Sequence, residues 1–368
     1  MKNTILVMLK TNPSDHIQYK IRFSELKELA QACSYKIVTE VIQTKLNPKS
    51  NYLLGRGKIE EIAEMVKELK IKKIIFFNIL SSKQKYNISS ITDCEDVIDR
   101  YDLILEIFDI MSKDQLSKLQ IEKARLIKNL PLAKLIASKN LKSEHPGAMG
   151  TGDYSYQSKI KGIQTKISKI NSEIKKHKKL KESRIKKREK LGMPVICLTG
   201  NYNSGKTTLF NHLTGSDKPV SDTPFTTLTS KYQRISNKKL LFVDTIGFVI
   251  DIDPKLINSF ELNLFDIINA NIVLFLVDIS DEFEMLKTKF LSGINVLLEL
   301  KIDYTKIIIV FNKIDKIDES DVITKFKNIK VFFPYQFPYC QISAKESINI
   351  DKLIEEINQK LSINKTPD

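Results

Sequence analysis

Eight residues, "GNYNSGKT" from Gly200 to Thr207, follow the apolar stretch "VICL" and lead into "TLFNHL". A loop with these glycines, set between a strand and a helix, lets backbone N–H groups close around phosphates. Lys206 is placed to reach the β- and γ-phosphates and is a candidate catalytic cation, while the Thr207 hydroxyl suits Mg²⁺. Asn201, Tyr202, Asn203, Ser204, Gly205 and Thr208 complete the expected phosphate-binding surface together with Gly200.

Further along, "LLFVDTIG" ends an apolar run on Asp244, where a carboxylate can act on Mg²⁺. Thr245 follows, and the Gly247 amide would face the γ-phosphate, which makes Gly247 a second catalytic candidate. "NKID", Asn312 to Asp315, follows "IIIVF". An aspartate there accepts from the ring N1–H and the exocyclic amine of guanine, groups that adenine lacks. Lys313 can lie along base and sugar, and "SAK", Ser343 to Lys345 with Ala344 between, would close over the base through its backbone. The four motifs, in this order and each at a strand end, point to GTP and GDP as ligands and resemble the G1, G3, G4 and G5 elements of translation-factor-class GTPases. One position breaks the pattern. Where a Ras-type hydrolase carries the glutamine that aims the attacking water, this chain has Phe248.

The elements that must hold these residues follow from periodicity. Up to about residue 110 the chain alternates: "TILVML", "YKIVTEVI" and "KKIIFFN" read as strands, with "FSELKELAQAC" and "KIEEIAEMVKEL" as helices and "DLILEIF" as another short apolar run. A small parallel α/β domain over 1–110 is expected. "GRGK", Gly55 to Lys58, could hold an anion ahead of its helix, or be a plain turn. From Ser112 to Ile136 Leu116, Leu119, Leu126, Leu130 and Ala133 recur at helical spacing, and "SEHPGAMGTGDYS" reads as a loop. Ile160, Ile163, Ile167, Ile170 and Ile174 then form a narrow seam that fades at His177. Residues 111–192 are therefore expected to form a basic, coiled-coil-like helical hairpin. Residues 193–368 alternate strands and helices again, as a C-terminal Ras-like P-loop domain would.

The chain carries 59 basic and 44 acidic residues, a net charge of +15. Between Tyr156 and Gly192 fourteen basic residues face only three glutamates, so this one segment holds most of the excess and predicts a polyanionic partner. No aromatic residues interleave with these lysines, which argues against base-specific reading. Cys33, Cys94, Cys197 and Cys340 are too scattered for a zinc site or a disulfide framework and read as free thiols in a reducing cytoplasm. The longest apolar strand-like run, Ile272 to Val277, is far too short to span a bilayer, and "MKNTILVMLKTN" reads as a first strand rather than a signal peptide.

A closer resemblance covers nearly the whole chain. "PFTTLTSK" resembles the F-A-T-L switch of HflX GTPases, "DTIGFV" their D-T-V-G-F-I, and "TTLFNHLTG" their S-T-L-F-N-x-L-T. "LLGRGKIEEI", "VIDRYDLILEIF" and "KLQIEKARL" are similar to blocks of that family's N-terminal half. One departure is the loop "HPGAMGTGDYSYQ", which stands where the family has G-P-G-E-T-x-L-E. The alignment places Phe225, Thr226 and Thr227 in the switch, with Thr227 implied as the catalytic threonine that reaches Mg²⁺ and the γ-phosphate and Thr226 as the substituted position.

The family shares a hydrophobic residue at the place of Phe248. The resemblance thus implies slow hydrolysis relieved by a partner, through an inserted arginine, a monovalent cation, or ordering of the switches. Asn203 stands where related potassium-activated GTPases place an asparagine ligand, so K⁺ joins Mg²⁺ as a candidate, although the asparagine could equally serve the loop alone. The resemblance also implies a cytoplasmic monomer that associates with the large (50S-type) ribosomal subunit and its rRNA, in ribosome splitting, rescue or quality control. Two other readings stand beside it: a non-enzymatic ribosome- or RNA-binding protein with a vestigial GTPase, and a membrane-surface-recruited GTPase held by its basic helix.

Overall fold

The computed structural model describes residues 2–94, 96–143, 151–217, 230–234, 240–333 and 335–363. The chain forms two compact units. One takes Met1–Ile110 and Lys118–His177, the other Met111–Ser117 and Lys178–Asp368.

The first unit runs β1 (Asn3–Lys10), α1 (Gln18–Ala32), β2 (Lys36–Thr44), α2 (Arg56–Glu68), β3 (Lys73–Phe76), α3 (Ser82–Thr92), β4 (Val97–Asp99) and α4 (Arg100–Met111). The strands lie in the order β2-β1-β3-β4, all parallel. Alternate residues of β1, Ile5, Val7 and Leu9, join Ile74 and Phe76 of β3 in one apolar cluster with Ile59, Ile62 and Val66 of α2 and Ile88 of α3. Leu6 and Met8 between them are buried as well, so β1 is covered on both faces and its apolar run is continuous. The "DLILEIF" run is not a strand. It lies within α4, and the strand is the short β4 just before it, whose residues are all buried. Leu103, Ile104, Leu105, Ile107 and Phe108 are all buried, and helical packing accommodates a run as continuous as this one. Gly55 of "GRGK" is the N-cap of α2, with its N–H bonded to Gln43 Oε1 at 2.9 Å.

Two long helices follow, α5 (Gln115–Ser143) and α6 (Thr151–Lys190). The first starts at Gln115 rather than Ser112, since α4 runs to Met111. The "SEHPGAMGTGDYS" loop is shorter than its composition suggests: Thr151 to Ser155 are already helical, and residues 144–150 lie outside the described residues. The seam of α6 does not fade at His177 either. Between 157 and 190 the residues that are not exposed are Ile160, Ile163, Ile167, Ile170, Ile174, His177, Lys178, Lys181, Ile185 and Arg188. The three-and-four spacing continues to the end of the helix, but past Ile174 it is carried mostly by charged side chains with partners, which a hydrophobicity pattern does not register. The exposed positions carry lysines and Arg184.

The second unit adds β5 (Val195–Gly200), α7 (Lys206–Thr214), β6 (Lys231–Arg234), β7 (Leu241–Asp244), α8 (Pro254–Ser259), α9 (Glu261–Ile268), β8 (Ile272–Asp278), α10 (Phe283–Glu299), β9 (Ile307–Asn312), α11 (Glu319–Lys330), β10 (Tyr339–Gln341) and α12 (Ile350–Ile363). Its sheet has the order β10-β9-β8-β5-β7-β6, with β6 antiparallel to β7 and the other pairs parallel. The apolar cluster joins Ile196 and Leu198 of β5, Leu274 of β8 and Ile308 of β9 to Leu209 and Phe210 of α7 and Leu353 and Ile357 of α12. In such a sheet ligands bind beyond the carboxyl ends of the strands, and Gly200, Asp244, Asp278 and Asn312 all lie at those ends. No helix among the described residues is long and apolar enough to cross a membrane.

One helix position reverses an ordinary preference. Gly293 sits in α10, where alanine would normally be favoured by about 1 kcal/mol. A Cβ there would come within 2.4 Å of Phe275 Cζ on β8. Gly293→Ala is expected to lower unfolding stability by about 1–3 kcal/mol, read from urea denaturation, instead of raising it.

Candidate active site

The site is built where β5 stops. Gly200 has φ +135°, and a Cβ on it would lie 2.2 Å from the Leu276 carbonyl oxygen of β8, so the strand can pass this close only as glycine. Gly205, at φ +91°, caps α7 with no side-chain hydrogen bond, and the first turn of α7 holds no acidic residue. The positive end of that helix dipole is thus left for an anion. A Cβ on Gly205 would lie 2.1 Å from Asn312 Nδ2. That amide donates to the Ser204 carbonyl oxygen at 2.9 Å, and Asn312 Oδ1 accepts from the Ala344 N–H at 2.9 Å. One buried carboxamide therefore joins the loop after β5 to the loop after β10.

Lys206 is buried, and its ammonium donates to the carbonyl oxygens of Gly200 and Asn201 at 3.2 and 2.7 Å. Burial pushes its pKa down from 10.5 to about 8, with nearby Asp244 opposing the fall and Lys313 adding to it. Asp244 ends β7 fully buried, and Thr207 Oγ1 donates to its Oδ2 at 3.1 Å. One hydroxyl and one carboxylate side by side are hard oxygen donors. They fit Mg²⁺, which usually takes one or two protein oxygens and leaves its other positions to water and phosphate. Ser204 Oγ is buried without a hydrogen-bond partner in the same loop, a donor that a phosphate oxygen would satisfy. Thr245 is wholly buried and donates to the Leu198 carbonyl oxygen at 2.7 Å. A Cβ on Gly247 would meet Tyr202 Cα at 3.0 Å and Lys206 Nζ at 3.1 Å, so the backbone after Asp244 lies directly on the phosphate loop.

Phe248 is 2 % exposed. Its backbone N–H donates to the Gly200 carbonyl oxygen at 2.9 Å, and its own carbonyl oxygen accepts from the Tyr202 N–H at 3.0 Å. The side chain serves the core and the backbone ties this segment to the loop. Ser292 of α10 holds the same segment further on, accepting from the Asp251 N–H at 2.8 Å.

On the base side, Lys313 has φ +70°, and its ammonium lies 2.6 Å from Asp278 Oδ2 at the end of β8. Asp315 is exposed in the short turn Ile314–Lys316. Ser343 is buried, pairs with Ile348 through its backbone and accepts from the Glu346 N–H, while Ala344 is buried and Lys345 exposed. Asn203 is exposed with φ +58°, Tyr202 is buried, and Thr208 is half-buried on α7. Phe225, Thr226 and Thr227 lie outside the described residues. The other sequence candidates converge on one end of one sheet. Reading by motif missed Asp278, although it ends the apolar run Ile272 to Val277 with the same strand-end carboxylate that marks Asp244.

Residues 20–109 match a family model described as "GTP-binding GTPase N-terminal", and residues 195–313 one described as "50S ribosome-binding GTPase". A GTPase HflX of Thermofilum pendens is 35% identical over 339 residues, 92% of this chain and 79% of the relative. A GTPase HflX of Thermococcus kodakarensis is 36% identical over 308 residues, 83% of this chain and 69% of the relative. The crystal structure of SsGBP in complex with GDP is similar with a TM-score of 0.54 at 26% identity and covers 98% of both chains.

Two measurements follow from this geometry. A Lys206 pKa of about 8, below the 10.5 of the unfolded chain, means that the folded protein binds fewer protons between those values. Stability of the nucleotide-free protein should therefore rise as pH increases through that window, and Lys206→Met should remove this component from thermal melts. Asn312→Ala leaves the buried Ala344 N–H and the Ser204 carbonyl without their partner, and should lower unfolding stability by about 2 kcal/mol in urea.

Proposed function

We propose, as the working premise of a chain that belongs to the HflX family of GTPases, that this GTP hydrolase docks on the large ribosomal subunit through the basic face of α6 and is slow until it does so. The observation that carries the reading is the sorting of charge on that helix. Lys178, Lys181 and Arg188 are half-buried with partners, while Lys159, Lys161, Lys166, Lys169, Lys175, Lys176, Lys179, Arg184, Lys186, Lys187 and Lys190 are exposed. A one-sided row of cations contacts the phosphates of rRNA without reading bases, and its affinity falls with salt as fewer counterions are released. The work is ascribed to a cytoplasmic monomer whose modules are 1–110, 111–192 and 193–368, acting in splitting, rescue or quality control of ribosomes.

The residues take these roles. The loop amides from Gly200 to Thr208 and the Lys206 ammonium hold the phosphates. Thr207 and Asp244, with Thr227 from the switch, would hold Mg²⁺, and an ion bound there would supply Lewis acidity to the phosphate oxygens. Asp315 recognises the guanine edge, Asn312 and Lys313 shape its pocket, and the backbone of Ser343 to Lys345 covers the base. Asn203 offers its side chain to a K⁺ ion. The Gly247 amide would face the γ-phosphate. Phe248 is buried and has no group that could polarise water, so ordering of the water falls to groups that docking brings into place. An activator of that kind is worth roughly 10³–10⁵ in rate where it has been measured in related hydrolases.

Four outcomes are expected. Large ribosomal subunits should raise turnover well above the free rate, with the gain fading as salt rises. Neutralising Lys175, Lys176 and Lys179 should weaken cosedimentation and leave GTP affinity of the free protein close to unchanged; normal cosedimentation would refute docking by this face. Asp315→Asn should shift binding from guanine toward xanthine nucleotides, and equal affinity of the wild type for ATP and GTP would remove the guanine reading. Replacing K⁺ by Na⁺ at constant ionic strength should slow hydrolysis, and Asn203→Ala should abolish the difference.

A further inference from the structure

Within the second unit the last turns of α6 meet one buried carboxylate. Asp266, on α9, is 4 % exposed. Its Oδ2 lies 3.2 Å from the Lys181 ammonium, which also donates to the Leu262 carbonyl oxygen at 2.7 Å. Its Oδ1 accepts from the Tyr232 hydroxyl at 2.6 Å. The Arg188 guanidinium, two turns along α6 from Lys181, lies over the Tyr232 ring at 4.3 Å. Lys178, one turn before, reaches Glu261 at 3.0 Å.

Tyr232 is not an arbitrary anchor. It belongs to β6, the strand that leads from the 218–229 segment to β7, and its cross-strand partner is Val243. The neighbouring pair in that register is Lys231 with Asp244. Tyr232 is thus one position along the ladder from the residue paired with Asp244, with its side chain on the opposite face of the sheet, so the link between them is the β6–β7 backbone. Among the described residues β6 is an edge strand of four residues with β7 as its one sheet neighbour.

We propose that Asp266, bridging Lys181 and Tyr232, is a positioning residue for GTP hydrolysis, and that the last turns of α6 thereby set the placement of β7 and of the Asp244 carboxylate. A carboxylate buried this fully needs both donors. Losing Lys181 leaves an uncompensated charge beside the ladder, and losing the Tyr232 hydroxyl lets β6 move relative to α9. Either change relaxes the same contact, so the two act on the rate through one element. The claim concerns hydrolysis by the free protein and stands independently of docking on any partner.

The test uses the full chain without ribosomes, with turnover expressed per nucleotide-competent site from titration with fluorescent GDP. Lys181→Met and Tyr232→Phe should each lower kcat about fivefold while KM for GTP stays within about twofold. The double variant should fall little below the weaker single one, because neighbours in one bonded chain do not act additively. Lys181→Arg, which keeps the charge, should restore most of the rate. Tyr35→Phe removes a comparable hydroxyl bond, to Glu106 at 2.6 Å in the first unit, and should leave kcat unchanged. The proposal is overturned if Lys181→Met keeps the wild-type kcat, if the two losses multiply in the double variant, or if Tyr35→Phe slows turnover as much as Tyr232→Phe.

Discussion

The carboxamide of Asn312 is the interaction on which the site depends. It reaches 108 residues back to the Ser204 carbonyl and 32 residues forward to the Ala344 N–H. The loop after β5 and the loop after β10 are thereby held by one planar group. Gly205 exists in this setting because that group occupies the volume of its Cβ. Burial raises the stakes, since an amide in a low-dielectric interior cannot exchange a lost partner for water. Asn312 therefore has a structural duty as well as whatever it contributes to the base, and neither an aspartate nor a leucine could replace it: one lacks the donor, the other lacks both.

Much of this was legible from residue types and order. Glycines at fixed spacing, a strand-end aspartate and a lysine before a hydroxyl mark phosphate chemistry because few other residues tolerate or supply it. The short apolar runs of β1, β5, β8 and β9 read directly as strands. What stayed hidden had physical causes. Leu103 to Phe108 are buried in an almost unbroken run, and such a run has no period to separate strand from helix. The later seam of α6 is made by Lys181 and Arg188, whose inward direction is set by Asp266 and Tyr232 far along the chain. Charged residues read as solvent-facing until the partner is located. The backbone bridge between Phe248 and the phosphate loop involves no side-chain type at all, so no motif could announce it.

That bridge changes the meaning of Phe248. A glutamine at this position would have to leave the core before it could touch water. The segment from Ile246 to Ile250 is buried throughout, stitched to Gly200 and Tyr202 by its backbone and held at Asp251 by Ser292. The backbone after Asp244 is thus an inward-facing apolar ribbon, with no side chain between Ile246 and Ile250 turned out to solvent.

The division of α6 between the two units has a consequence for how the chain is made. Lys181 emerges from synthesis 85 residues before Asp266, its partner. Throughout that interval the end of the helix has no counter-charge from α9, and its earlier turns can settle only within the first unit. The second unit must then close around a helix already present. Cutting the gene at the apparent start of the nucleotide domain, near residue 193, would yield a protein whose Asp266 is buried with one donor missing. A fragment boundary placed before Lys178 instead would carry the completing turns along with the domain that needs them.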